Sequence, residues 1–220
     1  VSDTVNPMSE PLRRIGTLGL IPVVELAAAA PAVALAQALA EGGLPIIEIT
    51  LRSAAASEAL RRIAGEAPQV LLGAGTVRTP EQVDAAAAAG ARFLVAPGFN
   101  ARVVARARER DLTMIPGVCT PSEVEHACEA GLRVLKFFPA EACGGAGALA
   151  ALAGPYPEVR FMPTGGISPA NARRYLALDN VIACGGSWLA DRRLIAARDF
   201  AAISVRAREG CDLVRAVRER

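Results

Sequence analysis

Lysine and histidine are nearly absent from this 220-residue chain: of its 24 cationic side chains only Lys136 is a lysine, and His126 is the sole histidine. Mechanisms that need several lysines or a histidine cluster are excluded. Aromatic residues are scarce, at 4%. An excess of one charge is missing too, because 24 cations against 22 acids leave a formal net charge of +2. So weak a field argues against a dedicated nucleic-acid or polybasic membrane binder. No two of the five cysteines (Cys119, Cys128, Cys143, Cys184 and Cys211) form a CxxC pair. The sequence therefore predicts reduced thiols rather than a disulfide scaffold, and no zinc site. The first residues lack a charged segment followed by an apolar stretch, and no apolar run long enough for a membrane span is free of charges and helix breakers. The cytoplasm is the expected compartment.

Alanine is abundant, about a fifth of the chain against a much lower ordinary usage. Hydrophobic residues reach 52%, enough to bury a full core. Eight short apolar runs recur: Ile21–Leu26, Pro45–Leu51, Val70–Gly75, Arg92–Ala96, Thr113–Pro116, Val134–Phe138, Arg160–Pro163 and Val181–Cys184. Their starts are spaced by about one strand, one helix and two loops. Between them lie alanine-rich stretches with helical punctuation. Pro31 suits a first turn and Gly42–Gly43 an exit; Thr79 suits an N-cap, with Pro80 at the first helical position and Gly90 at the stop. Ser122–Ala130 and Pro169–Leu178 repeat the pattern. Eight such units, apolar on both strand faces, predict an α/β fold: a parallel sheet closed into a (β/α)8 barrel. An open doubly wound sheet is the alternative, but Glu25–Ala30 after the first run holds no glycine fingerprint. A single domain over residues 1–220 is expected, with 1–12 a loose extension. The amphipathic tail from Asp199, with Ile203, Ala207, Cys211, Val214 and Val217 on one face, reads as a closing helix.

In such a barrel the chemistry sits at the carboxyl ends of the strands. Those ends supply Glu48 and Arg52 (second run), Thr76 (third), Lys136 (sixth) and Thr164 (seventh), with Cys119 after the fifth and Ser187 after the eighth. Alternation puts Glu48, Thr50 and Arg52 on one strand face, and a glutamate in so apolar a run is costly unless partnered. Lys136 lies in Val134–Pro139, the most aromatic stretch of the chain. It reads either as a structural partner for Glu48 or as a nucleophile, since desolvation disfavours the protonated form of an amine. Arginine, which serves every other cationic position here, stays protonated and cannot form a Schiff base. Thr164-Gly165-Gly166 and Gly185-Gly186-Ser187 fall after the seventh and eighth runs, the recurring phosphate site of these barrels, although tight turns alone would also use such pairs. Gly144-Gly145 reads as a loop, His126 as a surface or packing residue, Trp188 as loop packing, and Arg192-Arg193, like the other arginine pairs, as a solvated face. On the residues alone, a phosphosugar isomerase or epimerase and a non-catalytic sugar-phosphate sensor stay open.

The segments Ile47–Arg52, Gly73–Val77, Ala96–Gly98, Ile115–Gly117, Lys136–Glu141, Pro163–Ser168 and Gly185–Leu189 closely resemble the 2-keto-3-deoxy-6-phosphogluconate (KDPG) aldolases, which often also act on 4-hydroxy-2-oxoglutarate. The resemblance runs from about Arg13 to Arg215 in the family's order and spacing. It implies a metal-independent class I aldolase of the Entner–Doudoroff pathway without cofactor, acting on a phosphorylated keto-deoxy sugar acid and pyruvate, and usually a homotrimer of barrels. By the same resemblance Lys136 is the Schiff-base lysine and Glu48 the acid/base. Arg52 and Thr76 hold the pyruvoyl carboxylate, Pro97 and Phe138 are apolar walls, and Thr164 lies near the reacting hydroxyl. Gly165, Gly166, Gly186 and Ser187 bind phosphate. An aldolase for the galactonate epimer is the alternative within the family. Glu25, Cys119 and Cys143 depart from the residue types expected at their positions.

Overall fold

The structure is a computed structural model and describes residues 8–219. The strands, in chain order, are β1 (Leu20–Val24), β2 (Ile46–Thr50), β3 (Leu71–Gly75), β4 (Phe93–Val95), β5 (Thr113–Ile115), β6 (Gly117–Val118), β7 (Val134–Phe137), β8 (Arg160–Pro163) and β9 (Cys184–Gly186). β5 and β6 are one barrel position interrupted at Pro116. A proline has no N–H for the ladder, but its carbonyl still accepts from Lys136 N at 2.8 Å. All pairings are parallel, in the orders β5-β4-β3-β2-β1-β9 and β6-β7-β8. The chain itself joins the two sheets at Pro116, and parallel bridges Phe161–Val181 and Thr164–Gly185 join them on the other side. The ring therefore closes as an eight-position barrel, and the open sheet is set aside. Every residue of β2 and β3 is buried, as expected of strands covered on both faces.

The helices around the ring begin where their caps allow. They are α1 (Glu10–Leu18), α2 (Ala32–Glu41), α3 (Ala56–Glu66), α4 (Pro80–Ala88), α5 (Ala101–Glu109), α6 (Pro121–Glu129), α7 (Gly145–Leu152), α8 (Pro169–Leu176), α9 (Arg192–Ala197) and α10 (Phe200–Arg218). The Thr79 hydroxyl accepts from Gln82 N, and Thr120 with Glu123 forms a reciprocal capping box ahead of α6. α10 buries Ile203, Ala207, Gly210 and Val214, so the tail does close the barrel wall. No helix among the described residues is long and apolar enough to cross a membrane.

Three expectations are corrected. Glu10–Leu12, assigned to a loose extension, form the first turn of α1, with Pro11 buried; residues 1–7 of that extension lie outside the described residues. The last strand spans Cys184–Gly186 rather than Val181–Cys184, because Leu20–Pro22 of β1 pair in register with Cys184–Gly186. Its glycine pair thus belongs to the strand and not to the loop after it.

The thiols are not all reduced: Cys119 and Cys143 form a disulfide, with Cα atoms 6.4 Å apart, and Cys128, Cys184 and Cys211 are free. Adjacency of β6 and β7 brings the pair together: Cys119 directly follows β6, and Cys143 lies in the turn between β7 and α7. Burial pushes the Cys184 thiol up to about 12, which leaves it inert. Titration of the unfolded protein is expected to find three thiols before reduction and five after. With a sequence separation of 24 residues between the linked cysteines, reduction is expected to cost about 3 kcal/mol of stability, read from denaturant midpoints.

Candidate active site

Among the described residues, β2 and β7 carry the two buried side chains of acidic or basic type. Glu48 has no exposed surface and Lys136 retains 6%. Their strands run in parallel, so both residues sit within two positions of a carboxyl end. Lys136 Nζ stands 3.9 Å from Glu48 Oε1 and 5.0 Å from the centre of the Phe138 ring. Neither carboxylate oxygen of Glu48 has a hydrogen-bond partner within the protein, and the same holds for the buried Thr164 hydroxyl. Buried polar groups are ordinarily paired, so a carboxylate left unpaired 3.9 Å from an amine marks a place where a polar ligand would supply the missing contacts. Burial raises the Glu48 carboxyl above its ordinary value, and the nearby Lys136 charge only partly opposes this. A carboxyl raised in this way is suited to general acid–base work.

Room for Glu48 comes from the neighbouring strand. A Cβ at Gly75 would overlap the Glu48 carboxyl group, so only glycine is compatible with the acid in this position. Gly75 is a functional residue that the strand reading passed over; its signal was a glycine at the end of an otherwise apolar strand. Thr76, next in the chain, has φ 59°, a left-handed conformation rare for a branched residue. Strain of this kind clusters at functional sites.

The loops after β7 and β8 are stitched together. Ala140 N donates to Thr164 O at 2.9 Å, and Glu141 N to Gly165 O at 3.1 Å. The Tyr175 hydroxyl donates to the Glu141 carboxylate from below; burial and the adjacent carboxylate both raise this phenol. Gly165 and Gly166 have φ of 100° and 79°, which L side chains rarely adopt. α8 starts three residues later, with Ser168 and Asn171 capping it and Asn171 Nδ2 holding Gly166 O at 2.9 Å. The loop is thus fixed close to a helix N-terminus. Gly186 ends β9 against the Trp188 indole, and Ser187 is exposed beside it. Gly144 and Gly145 only cap and start α7.

The remaining expected residues fall at the same end. Pro97 and Phe138, both partly exposed, follow β4 and β7, and Arg52 lies two residues past β2. Arg52 is not free: its Nη2 is 3.0 Å from Glu25 Oε2, just beyond β1. His126 is exposed on α6 near Phe99. A cleft of about 1340 Å³ bordered by Arg92, Arg108, Arg133 and Arg160 opens at the other end of the barrel and contains none of these residues.

A closed parallel barrel whose mouth holds a buried lysine against a buried carboxyl group defines a class: barrel proteins equipped for amine chemistry on a carbonyl. The family model "KDPG and KHG aldolase" matches residues 13–205. A 2-dehydro-3-deoxy-phosphogluconate aldolase from Treponema pallidum is 48% identical over 195 residues, covering 89% of this chain and 93% of its own. The KHG/KDPG aldolase of Escherichia coli K12 is 45% identical over 193 residues, covering 88% and 91%. Among solved structures, the KDPG aldolase of Legionella pneumophila, with pyruvate captured as a covalent carbinolamine, superimposes with a TM-score of 0.89. It is 37% identical and covers 91% of this chain and 98% of that one. The chain belongs to the KDPG and KHG aldolase family.

Proposed function

We propose that this protein is a class I aldolase that cleaves KDPG to pyruvate and glyceraldehyde 3-phosphate through a Schiff base on Lys136, and also cleaves 4-hydroxy-2-oxoglutarate to pyruvate and glyoxylate. The observation that carries the reading is the Lys136 amine held 3.9 Å from the fully buried Glu48 carboxyl. Relatives named for this activity support it at 48% and 45% identity.

The unprotonated Lys136 amine attacks the C2 carbonyl, and Glu48 delivers the proton that converts the carbinolamine hydroxyl into departing water. The resulting iminium draws electrons from the C3–C4 bond. As the C4 hydroxyl gives its proton to the Glu48 carboxylate, that bond breaks; the aldehyde leaves and an enamine of pyruvate stays on Lys136. Protonation at C3 and addition of water then release pyruvate and restore the amine. Arg52 and Thr76 hold the substrate carboxylate. Pro97 and Phe138 wall the reacting carbons, and Thr164 donates to the hydroxyl at C4. At the far end the phosphate rests on the backbone of Gly165, Gly166 and Gly186 and on Ser187, where binding energy remote from the reacting bond orients it.

Borohydride reduction with pyruvate tests this directly. Lys136 is expected to gain the mass of one carboxyethyl group; active protein without that adduct would refute the reading. A second expectation concerns Thr76. Its φ of 59° makes Thr76→Gly more stable by about 1 kcal/mol through relief of strain, while KM for KDPG rises with the loss of the hydroxyl; thermal unfolding and steady-state kinetics read the two effects. A homotrimer located in the cytoplasm belongs to the same proposal, and light scattering gives the subunit number.

A further inference from the structure

Arg192, which the sequence presents as half of a solvated arginine pair, reaches the site indirectly. Its Nη2 lies 2.7 Å from Glu25 Oε2, the same oxygen that holds Arg52 Nη2 at 3.0 Å. The three side chains come from consecutive barrel positions. Glu25 follows β1, Arg52 follows β2, and Arg192 opens α9 after β9, the strand on the other flank of β1. Ring closure therefore aligns Arg52, Glu25 and Arg192 in a row at the barrel mouth.

Charge decides what this row can do. Arg52 and Glu25 alone form a neutral pair, and a carboxylate approaching Arg52 would meet the Glu25 carboxylate beside it. Arg192 shares that oxygen and restores a net charge of +1 to the row. The neighbouring acid, Asp191, is engaged elsewhere, accepting from Arg193 N at 2.8 Å as the N-cap of α9.

We infer that Arg192 is a positioning residue for the carboxylate end of the substrate, acting through Glu25 to keep Arg52 available. The inference rests on the reading of Arg52 as the carboxylate-binding residue. Glu25 then sets how firmly anionic ligands are held, and Arg192 sets how much of the Glu25 charge Arg52 feels. Both partners are solvent-facing, with side chains 26% and 70% exposed, so the effects are modest.

The test uses pyruvate, which has a carboxylate but no phosphate, and reads the concentration that half-saturates borohydride trapping on Lys136, together with kcat and KM for KDPG. Arg192→Ala is expected to raise the pyruvate half-saturation and KM about threefold, within the range of exposed ion pairs, with kcat little changed. Arg192→Lys, which keeps the charge, restores both constants. Glu25→Gln lowers them about threefold by the same reasoning, and Arg192→Ala has a smaller effect in the Glu25→Gln background than in the wild type. The wild type and Arg192→Ala converge near 1 M salt, where screening shortens to about 3 Å. An unchanged half-saturation in Arg192→Ala overturns the inference, as does an equal effect of that change in the Glu25→Gln background, or a rise in Glu25→Gln alone. If the wild type forms no adduct on Lys136, the aldolase reading fails; if the adduct forms but Arg52→Ala binds pyruvate normally, the assigned role of Arg52 fails. Both outcomes are distinct from a failure confined to Arg192.

Discussion

Lys136→Arg is expected to reduce KDPG cleavage by about 10⁴-fold or more, the scale on which loss of a covalent nucleophile is felt. The substitution separates the two roles the sequence leaves open. Arginine keeps a cation opposite Glu48, so a lysine that merely paired a buried acid would be replaced at little cost. A guanidinium stays protonated and delocalised and cannot condense with a ketone. The chain uses arginine at its 23 other cationic positions, so the fold tolerates it widely, and thermal unfolding should confirm that the variant folds. Borohydride with pyruvate should leave the variant unlabelled. Retention of most activity would place Lys136 in a structural role.

Glu48→Gln carries the second largest effect, a fall in kcat of about 10²–10⁴-fold, as for other general acid–base groups. Glutamine matches the shape of the side chain in a space kept open by Gly75, so packing is preserved while proton exchange is lost. Lys136 remains, and pyruvate trapping should slow without disappearing. The pH profile adds an independent reading. Burial holds the Glu48 carboxyl above its ordinary 4.5, with Lys136 only partly opposing. As pH falls through that raised value the carboxylate takes up a proton and can no longer accept one from the C4 hydroxyl. The acid limb of kcat in the wild type should therefore lie above the ordinary carboxylate range, and it should vanish in Glu48→Gln. An unchanged profile would assign the proton transfers to another group.

Most strand positions were legible because a parallel strand covered on both faces must be apolar throughout, and a turn must follow it. The legibility failed where backbone chemistry overrode that pattern. Pro116 interrupts one barrel position, and the ring closes on Gly185 and Gly186, residues with little intrinsic preference for a strand. The Lys136–Glu48 pair was legible for a different reason: an amine and a carboxyl inside apolar runs are energetically anomalous, and an anomaly stands out without knowledge of its partner. Cys119 and Cys143 had no such signal. Each is an ordinary small residue in a loop, and their meeting follows from the pairing of β6 with β7.

The sequence by itself determined the barrel, through its eightfold alternation, and singled out Lys136 as the candidate nucleophile, because a single lysine among 24 cations stands in the most aromatic stretch of the chain. Both are properties of local pattern and of side-chain chemistry that no folding step can alter. Only the tertiary structure decided which side chains meet. The carboxyl of Glu48 occupies space that Gly75 leaves empty, and Glu25 joins Arg52 to Arg192, itself 167 residues from Glu25 along the chain. Such contacts depend on the closure and register of the ring, and an ion pair or disulfide between distant residues is set by that geometry rather than by any feature near either one.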